Sequence, residues 1–403
     1  MQFRWVSVTI IGALLLALAS AVRAGGPFIF ADDGTIVKWP TGPSGTSVTL
    51  TLDQDGLGML SNSQAHNLVS DVITVWNGVP QSTLNLQIAP NPLSADVTVA
   101  NYGSFLFGAG LHGFNPVVYD TDGSIIDVLY HGAGNQIVGI AGPRYYVDGN
   151  SHPAPGNFVE GYVILNGRFI DGITTPSNPE VTQEEFKGVA IHETGHMLGL
   201  DHAQINFAYP DAQPTMFPIV HPGIDTLKMD DIGWISYLYP SSLFNSSFGS
   251  ISGSIVQLIG GTAYQGCQGI NVVARLIGGG LVNASSCVSG YRYRAGFSPA
   301  GRAGSYIIPG LPPGNYSVEV ERIYDGFAGG SSVGPLDPPV DFPTGQVKAV
   351  PEFYNGTNES AWDNPSDMTP VTVTAGNQTT GIDIILNTLI PLSTARRSWT
   401  LYR

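Results

Sequence analysis

The chain has 403 residues, which is enough for two domains that each bury a full hydrophobic core. Its formal net charge is −15, although only 12% of its residues are charged. This balance argues against a nucleic-acid-binding protein, which needs a positive surface, and suits an exported protein rich in glycine and polar residues.

The N-terminus has the parts of a secretory signal peptide. Arg4 precedes an apolar run over residues 5–19, and small residues at 19–21 or 22–24 offer a signal-peptidase site. The run is too short to favour a membrane anchor, and no second apolar stretch of the sequence is long enough to span a bilayer. The sequence therefore predicts a signal peptide over residues 1–24 and a secreted, extracellular protein.

Strand and helix patterns follow one another in the next part of the chain. Residues 48–52 alternate apolar and polar side chains as a half-buried strand does. Ser61 and Gln64 have the spacing of a capping box, and apolar side chains then recur at the helical period until a proline interrupts the pattern. Residues 84–88 and 97–99 are predicted to form two further strands.

Three carboxylates lie close together in one short, glycine-containing stretch, at Asp120, Asp122 and Asp127. Carboxylate oxygens of this kind bind Ca²⁺ in proteins. Their spacing is not that of the twelve-residue calcium loop, so a polar turn between strands is the simpler explanation. Calcium at these three residues is therefore a secondary prediction.

Another strand, a loop and a buried strand are predicted before the next helix. Residues 136–143 form either an exposed edge strand or an interior strand, and the proline at their end is compatible with an edge. Residues 144–158 contain glycine, asparagine and proline and are predicted to be a loop, whereas residues 162–165 have the apolar run of a buried strand. Thr182 and Glu185 form a second capping box, which predicts the start of a helix.

The strongest signal in the sequence is a set of five residues at fixed offsets. His192 and His196 are four residues apart, so one face of a helix presents both ring nitrogens to the same metal ion. Gly199 can take the left-handed conformation that turns the chain back and returns His202 as a third ligand. Three protein ligands leave one zinc position open, which is typical of a catalytic site, and Glu193 lies beside the metal. A chance match of all five is expected at about one in a million positions.

These residues resemble the extended zinc signature of the metzincin metalloproteases, His-Glu-x-x-His-x-x-Gly-x-x-His. A methionine between two prolines, Met216 within residues 214–218, is similar to the Met-turn of that family. Residues 227–239, with their Asp-Asp pair and Leu-Tyr ending, resemble the last helix of the matrixin branch. Astacin-like and serralysin-like enzymes have a tyrosine at the position of Pro218, so the resemblance is to the matrixins.

The resemblance implies an α+β catalytic domain over residues 25–242, with a twisted mixed sheet and an active-site helix. Its zinc would be held by the three histidines, with Glu193 as the general base and Met216 supporting the site from below. It also implies that an extended peptide or protein substrate pairs with the strand at residues 136–143, if that strand is an edge.

Two other features of the matrixins are not expected in this chain. Their structural zinc site is represented only by Asp148 and His152, and no cysteine precedes His192 to block the catalytic zinc. The remaining histidines lack ligand spacing and are expected to be ordinary surface or core residues. They are His66, His112, His131 and His221.

The second half of the chain has strand patterns and few helical ones. A serine-rich stretch at residues 240–250 marks the predicted domain boundary, and short alternating strands separated by glycine and proline predict an all-β antiparallel sandwich over residues 248–388. Residues 304–316 resemble the carboxypeptidase regulatory-like domain, a transthyretin-like sandwich. A proline- and glycine-rich insert interrupts it near residues 323–369, and residues 389–403 form a C-terminal tail. The strand patterns cover residues 253–256, 272–275, 306–308, 316–320, 371–373 and 382–385.

Both cysteines of the chain, Cys267 and Cys287, lie in this half. In an oxidising compartment they are expected to form one disulfide, and two buried thiols are the alternative.

Together these features predict a secreted zinc endopeptidase in which a metal-activated water cleaves peptide bonds with Glu193 as base. Two alternatives remain open at this stage. The zinc helix could be an inactive scaffold in a secreted binding or structural protein, or the same ligands could serve a hydrolase acting on a non-peptide bond. No nucleic-acid partner and no membrane span are expected, and the sequence does not indicate an oligomeric state.

Overall fold

A computed structural model describes residues 26–31, 33–107, 110–148, 153–175, 180–259, 263–267, 270–290, 304–321 and 352–387. The predicted signal peptide at residues 1–24, the tail at 389–403, His152 and most of the predicted insert lie outside the described residues.

The protein has a mixed α/β fold with several sheets, in which strands predominate. Its first half contains, in chain order, β1 (Ile29–Phe30), β2 (Ile36–Val37), β3 (Thr46–Leu52), α1 (Asn62–Asn77), β4 (Leu84–Ile88), α2 (Tyr102–Leu106), β5 (Asn115–Asp120), α3 (Ser124–Leu129), β6 (Gly139–Val147), β7 (Pro153–Asn166), α4 (Gln183–Met197) and α5 (Met229–Leu238).

Five of these strands form one mixed sheet in the order β4-β3-β5-β7-β6. The pairs β3–β4, β3–β5 and β5–β7 are parallel, whereas β6 runs antiparallel to β7 at one end of the sheet. The strands predicted at residues 48–52, 84–88 and 162–165 are confirmed. Among the described strands, β6 pairs with β7 alone, which agrees with the edge-strand alternative for this region.

Two predictions for this half are wrong. Residues 97–99 form a loop, because the Val97 N–H donates to Asp53 Oδ1 (3.0 Å) instead of to a neighbouring strand. Residues 144–158 are largely strand, since β6 continues to Val147 and β7 begins at Pro153. Pro153 and Pro155, which suggested a loop, lie on β7 in the outermost pair of strands, where irregular register is tolerated.

Helices α1 and α4 begin where their capping boxes predicted. Ser61 with Gln64, and Thr182 with Glu185, each make both hydrogen bonds of the box. The two helices pack together, and Trp76 on α1 donates its indole N–H to the carbonyl of Ile191 on α4 (3.1 Å). A buried aromatic side chain therefore fixes the position of α4 next to the predicted metal ligands.

The second half forms two further sheets. Its elements are α6 (Phe244–Ser247), β8 (Gly249–Ile259), β9 (Ala263–Gly266), β10 (Asn271–Leu276), β11 (Ala284–Val288), β12 (Ser305–Leu311), β13 (Gly314–Glu321), β14 (Glu352–Phe353), β15 (Val371–Val373), β16 (Gln378–Thr379) and β17 (Ile384–Leu386).

One of these sheets has the order β11-β10-β13-β14, with β15 also on β13; the other has the order β12-β8-β16, with β9 and β17 also on β8. All six predicted strand regions overlap strands of the structure. The expectation of a wholly antiparallel arrangement is wrong in one respect, because β16 and β17 pair with β8 in parallel. Buried side chains of both sheets belong to one hydrophobic cluster.

Helix α5 joins the two halves through buried hydrogen bonds. Trp234 donates its indole N–H to the carbonyl of Ser286 (3.0 Å). Asp230 Oδ1 accepts from Ser285 Oγ (2.9 Å) and from the Ser286 N–H (2.8 Å). These groups are buried, so the second half covers one face of α5 and satisfies its polar atoms.

Cys267 and Cys287 are both fully buried in the structure. Cys287 lies on β11 opposite Val272, and the Cys267 N–H donates to the carbonyl of Ile255 (2.8 Å). The disulfide between them stays a prediction for the oxidised protein. Among the described residues, no helix combines the length and the apolar character that crossing a membrane requires.

Candidate metal centre

Helix α4 carries the first two predicted ligands on one face. His192 and His196 are separated by one turn, and the centroids of their imidazole rings are 4.6 Å apart. Both side chains are buried, as is every residue of α4 from Gly188 to its end. The helix therefore presents the two rings to the interior of the first half.

The chain turns sharply after α4 and brings the third ligand back. Gly199 has a φ of 95°, which confirms the predicted need for a glycine at this position. A Cβ there would also lie 2.8 Å from the ring of Phe158. The N–H of Leu200 donates to the carbonyl of Gly195 (2.9 Å), which closes the turn and directs His202 towards α4.

The three histidines converge on one point. His202 Nε2 lies 3.2 Å from His192 Nε2 and 3.1 Å from His196 Nε2. The three rings together form a buried group whose ligand atoms could hold a metal ion. The sequence spacing therefore predicted correctly which residues meet in space.

Backbone carbonyls set the orientation of two of these rings. The Nδ1–H of His192 donates to the carbonyl of Thr215 (2.7 Å), and that of His196 donates to the carbonyl of Leu200 (2.9 Å). An imidazole that donates from Nδ1 has its lone pair on Nε2, which is the atom that faces the other histidines. The rings are thus prepared as metal ligands before any ion binds.

Burial keeps both of these histidines neutral. It lowers the pKa of His192 to about 3 and that of His196 to about 4, because a buried imidazolium is poorly solvated. Neutral imidazole is the form that binds a metal, so the site offers its ligands over the whole neutral pH range.

Glu193 follows His192 on α4, and its side chain lies against the edge strand. Its side chain is buried and, in the chain without a metal ion, burial raises the pKa of its carboxyl to about 8. A Cβ on Gly139, the first residue of β6, would lie only 2.7 Å from Glu193 Cγ. The carboxyl group therefore lies against the start of the edge strand.

The predicted Met-turn packs beneath the histidines. The N–H of Phe217 donates to the carbonyl of Pro214 (3.0 Å), and the Ala203 N–H donates to the carbonyl of Met216 (2.8 Å). Met216 is fully buried, and its sulfur lies where a side chain on Gly195 would point. The turn thus contacts α4 between His192 and His196 and also holds the segment after His202.

We expect Gly195→Ala to destabilise the protein. The new Cβ would lie 2.5 Å from Met216 Sδ and 3.1 Å from the ring of Trp76, so the buried Met216 side chain must move. The resulting strain of about 1–3 kcal/mol outweighs the gain in helix propensity of about 1 kcal/mol. Thermal unfolding should show a lower Tm. Gly103→Ala in α2 is the control, because a Cβ there meets no atom within 4 Å; equal Tm values for the two variants would contradict the packing argument.

Two residues that sequence reasoning did not assign also hold the Met-turn. Asp231 on α5 accepts hydrogen bonds from the N–H groups of Thr215 (2.9 Å) and Met216 (3.0 Å). His221 is buried, and its Nε2 lies 3.0 Å from the carbonyl oxygen of Pro214. The sequence shows the Asp-Asp pair that begins α5, but it does not show that Asp231 is buried or that it contacts the Met-turn.

The chain's first described residues pair with the turn after α4. The Phe28 N–H donates to the carbonyl of Gly199 (2.7 Å), and the Asp201 N–H donates to the carbonyl of Gly26 (2.9 Å). The ring of Phe28 lies 5.7 Å from that of His196, measured between centroids. This segment therefore stabilises the loop that carries the third histidine, a role that the sequence did not indicate.

The structure does not gather the three aspartates of the predicted calcium loop. Asp120 accepts from the N–H groups at the start of α3, Asp122 accepts from the Ser124 N–H, and Asp127 pairs with Arg168 at 2.8 Å. Within the described part of the chain, these three do not form a group with converging ligand atoms. Each has a separate structural role, which agrees with the polar-turn alternative.

Comparisons with known proteins do not assign the chain to a family. No family model and no curated protein matches it. One similar solved structure is that of GBS52, the minor pilin of the gram-positive pathogen Streptococcus agalactiae, at 12% sequence identity and a TM-score of 0.19. The match covers 36% of this chain and 47% of the pilin, and a likeness of this size carries no conclusion about fold or function.

Proposed function

We propose that this chain is a zinc-dependent endopeptidase of the matrixin-like metzincin kind. The observation that carries the proposal is the convergence of three buried imidazoles on one point, two of them neutral and oriented by backbone carbonyls, with the buried Glu193 next to His192 on the same helix.

Zinc fits this set of ligands better than calcium or magnesium does. Tetrahedral zinc with Zn–N bonds of about 2.0–2.1 Å requires ligand nitrogens about 3.3 Å apart. The two Nε2–Nε2 distances of 3.2 and 3.1 Å are close to this value. Imidazole nitrogen is a preferred zinc ligand, whereas calcium and magnesium require oxygen.

Three protein ligands would leave a fourth position for a water molecule and a substrate carbonyl. When bound, zinc supplies a Lewis acid there and brings the pKa of the water close to neutrality. Glu193 then accepts the proton of the attacking water and delivers it to the departing amine. The fixed orientations of His192 and His196, held by Thr215 and Leu200, keep the site from rearranging during this transfer.

The edge strand β6 provides a place for an extended peptide. Its inner side pairs with β7, and its other side is the outer edge of the sheet. Because Gly139 contacts the Glu193 side chain, a peptide added along β6 would pass next to the histidines. Backbone hydrogen bonds to such an edge position the scissile bond independently of the peptide sequence.

The finer description of the fold follows from the same proposal. Residues 25–242 would be the metzincin-like catalytic domain, with the mixed sheet above the helix α4. Residues 248–388 would be a transthyretin-like β-sandwich of the carboxypeptidase regulatory-like kind. Export through residues 1–24 would place the enzyme outside the cell.

The test is hydrolysis of a mixed peptide library by the purified protein. We expect cleavage that is abolished by a chelator and restored by adding zinc, with cut sites identified by mass spectrometry. A protein that binds zinc at His192, His196 and His202 but cleaves no peptide would contradict the proposal. That result would favour a binding or structural protein with an inactive zinc scaffold, or a hydrolase of another bond.

A further inference from the structure

The segment that directly follows the third histidine, residues 203–206, lies between the two halves of the protein. All four residues are buried, as is His202 itself. On one side, the Ala203 N–H donates to the carbonyl of Met216 in the Met-turn (2.8 Å). On the other side, Ile205 belongs to a small hydrophobic cluster with residues of β10 and β11. The second half therefore contacts the chain within three residues of a proposed metal ligand.

Two hydrogen bonds from the second half hold the backbone of this segment. Asn271, the first residue of β10, donates from Nδ2 to the carbonyl of Gln204 (2.8 Å). Glu321, the last residue of β13, accepts from the N–H of Asn206 at Oε2 (3.3 Å). Asn271 and Gln204 are almost completely buried, and Glu321 is 9% exposed. Loss of either side chain therefore leaves a buried backbone group without its hydrogen bond.

Arg275 on β10 organises the contacts around Asn206. Its guanidinium donates from Nη1 to Asn206 Oδ1 (3.0 Å), from Nε to Glu319 Oε1 (2.9 Å) and from Nη2 to Glu321 Oε1. The Asn206 Nδ2 group donates to one backbone carbonyl of each half, at 2.7 and 2.9 Å. A planar guanidinium holds its acceptors in fixed directions. The network therefore fixes both the side chain of Asn206 and the carboxylate that holds its N–H.

The backbone of Asn206 is in a conformation that requires such support. Its φ is 61°, in the left-handed region that residues with a side chain rarely adopt, although asparagine does so more often than most. A residue in this region keeps its conformation where the surrounding structure holds it. Here Arg275 and Glu321 do so. The course of the chain after the third histidine therefore depends on contacts with the second half.

Of the three proposed ligands, His202 is the one that lies outside any helix or strand. His192 and His196 are held by α4 and by hydrogen bonds to backbone carbonyls. The position of His202 is set by the turn before it and by the segment after it. Metal–ligand distances vary by only about 0.2 Å in well-formed sites, so a small displacement of that segment weakens metal binding.

We propose that Asn271, Arg275 and Glu321 are positioning residues of the metal centre, which act on His202 through residues 203–206. This role rests on the zinc site of the proposed function and not on peptide hydrolysis. The second half is then a part of the metal centre and not a separable module attached to it. Zinc affinity depends on side chains that do not touch the metal.

The test compares the zinc affinity of full-length variants by competition with a chromogenic chelator, at a temperature where circular dichroism shows each protein folded. Asn271→Ala removes the hydrogen bond to Gln204. We expect its zinc affinity to fall by about tenfold, at the lower end of the 10–100-fold loss for groups that orient a metal ligand.

Ser285→Ala is the matched control. Ser285 lies on β11, next to β10, and is as fully buried as Asn271. It also loses one buried hydrogen bond between the halves, but its partner is Asp230 on α5 (2.9 Å) and not the segment after His202. We expect this variant to have a lower Tm and the zinc affinity of the unchanged protein.

Glu321→Gln tests the second contact without removing the side chain. Its amide has one acceptor oxygen for two donors, the Asn206 N–H and Arg275 Nη2, so one of these bonds is lost. We expect a loss of zinc affinity of about tenfold here as well. With cobalt in place of zinc, the visible absorption, which follows the coordination geometry, should change in Glu321→Gln and Asn271→Ala and stay the same in Ser285→Ala.

Hydrogen exchange of the N–H groups of residues 203–206 in the metal-free proteins tests the same role without a bound ion. We expect faster exchange in Asn271→Ala and Glu321→Gln than in Ser285→Ala. Equal zinc affinity and equal exchange in all the variants and the unchanged protein would overturn the inference, whether or not the protein cleaves peptides. Zinc affinities in the expected order, in a protein that cleaves no peptide, would support the inference and contradict the proposed function.

Discussion

Replacing Glu193 by alanine is expected to leave metal binding intact and to reduce peptide hydrolysis by about 10²–10⁴-fold, the usual contribution of a general base. Glu193 does not belong to the converging group of His192, His196 and His202, so those three still hold the ion. The loss should appear in kcat, because the carboxylate acts on the proton of the attacking water and not on the bound peptide.

The metal content and the rate of peptide hydrolysis are measured on the same preparation of each protein. Glu184→Ala is the control, since Glu184 is an exposed acid in the first turn of the same helix, α4. It should retain the activity of the unchanged protein. Similar losses of activity in both variants would indicate damage to α4 and not the removal of a base. A Glu193→Ala protein that kept its activity would show that Glu193 is not the proton acceptor.

The local features of this site could be predicted from the sequence because they depend on residues close together in the chain. The capping box at Thr182 starts α4, the helical repeat brings His192 and His196 to one face, and the positive φ of Gly199 returns His202. Each step is controlled by backbone geometry over a few residues. The strand patterns of the second half were predictable for the same reason.

The features that sequence reasoning missed depend on contacts between distant segments. Asp231 and His221 hold the Met-turn, and Trp76 holds α4, yet none of their partners follows from sequence spacing. Glu352 and Asn387 meet only because the start of β14 lies close to the end of β17. In the sequence, the acidic residues of the predicted insert near residues 323–369 are typical of an ordinary loop. In the fold, some of them are buried and lie next to one another.

The largest expected effect on stability is that of Asp231→Ala. The Asp231 carboxylate accepts from three backbone N–H groups, those of Thr215, Met216 and Lys228, at 2.7–3.0 Å. All are lost together in the alanine variant, and two of the donors, on Thr215 and Met216, belong to fully buried residues. Each buried N–H left without an acceptor costs about 1–3 kcal/mol, so we expect a large fall in the free energy of unfolding.

The metal affinity of Asp231→Ala should fall together with its stability, because the Met-turn that Asp231 holds also orients the ligand His192. The carbonyl of Thr215 accepts from His192 Nδ1. Asp231 holds this residue in position, because its carboxylate accepts from the N–H of Thr215. Loss of a group that orients a metal ligand typically costs about 10–100-fold in metal affinity. Asp230→Ala separates this effect from general destabilisation, since Asp230 is an equally buried acid whose partners, Ser285 and Ser286, lie in the second half. We expect it to lower the Tm without changing zinc affinity, measured by competition with a chromogenic chelator. If the two variants lost zinc affinity equally, Asp231 would be a stabilising residue of α5 and not a support of the metal centre.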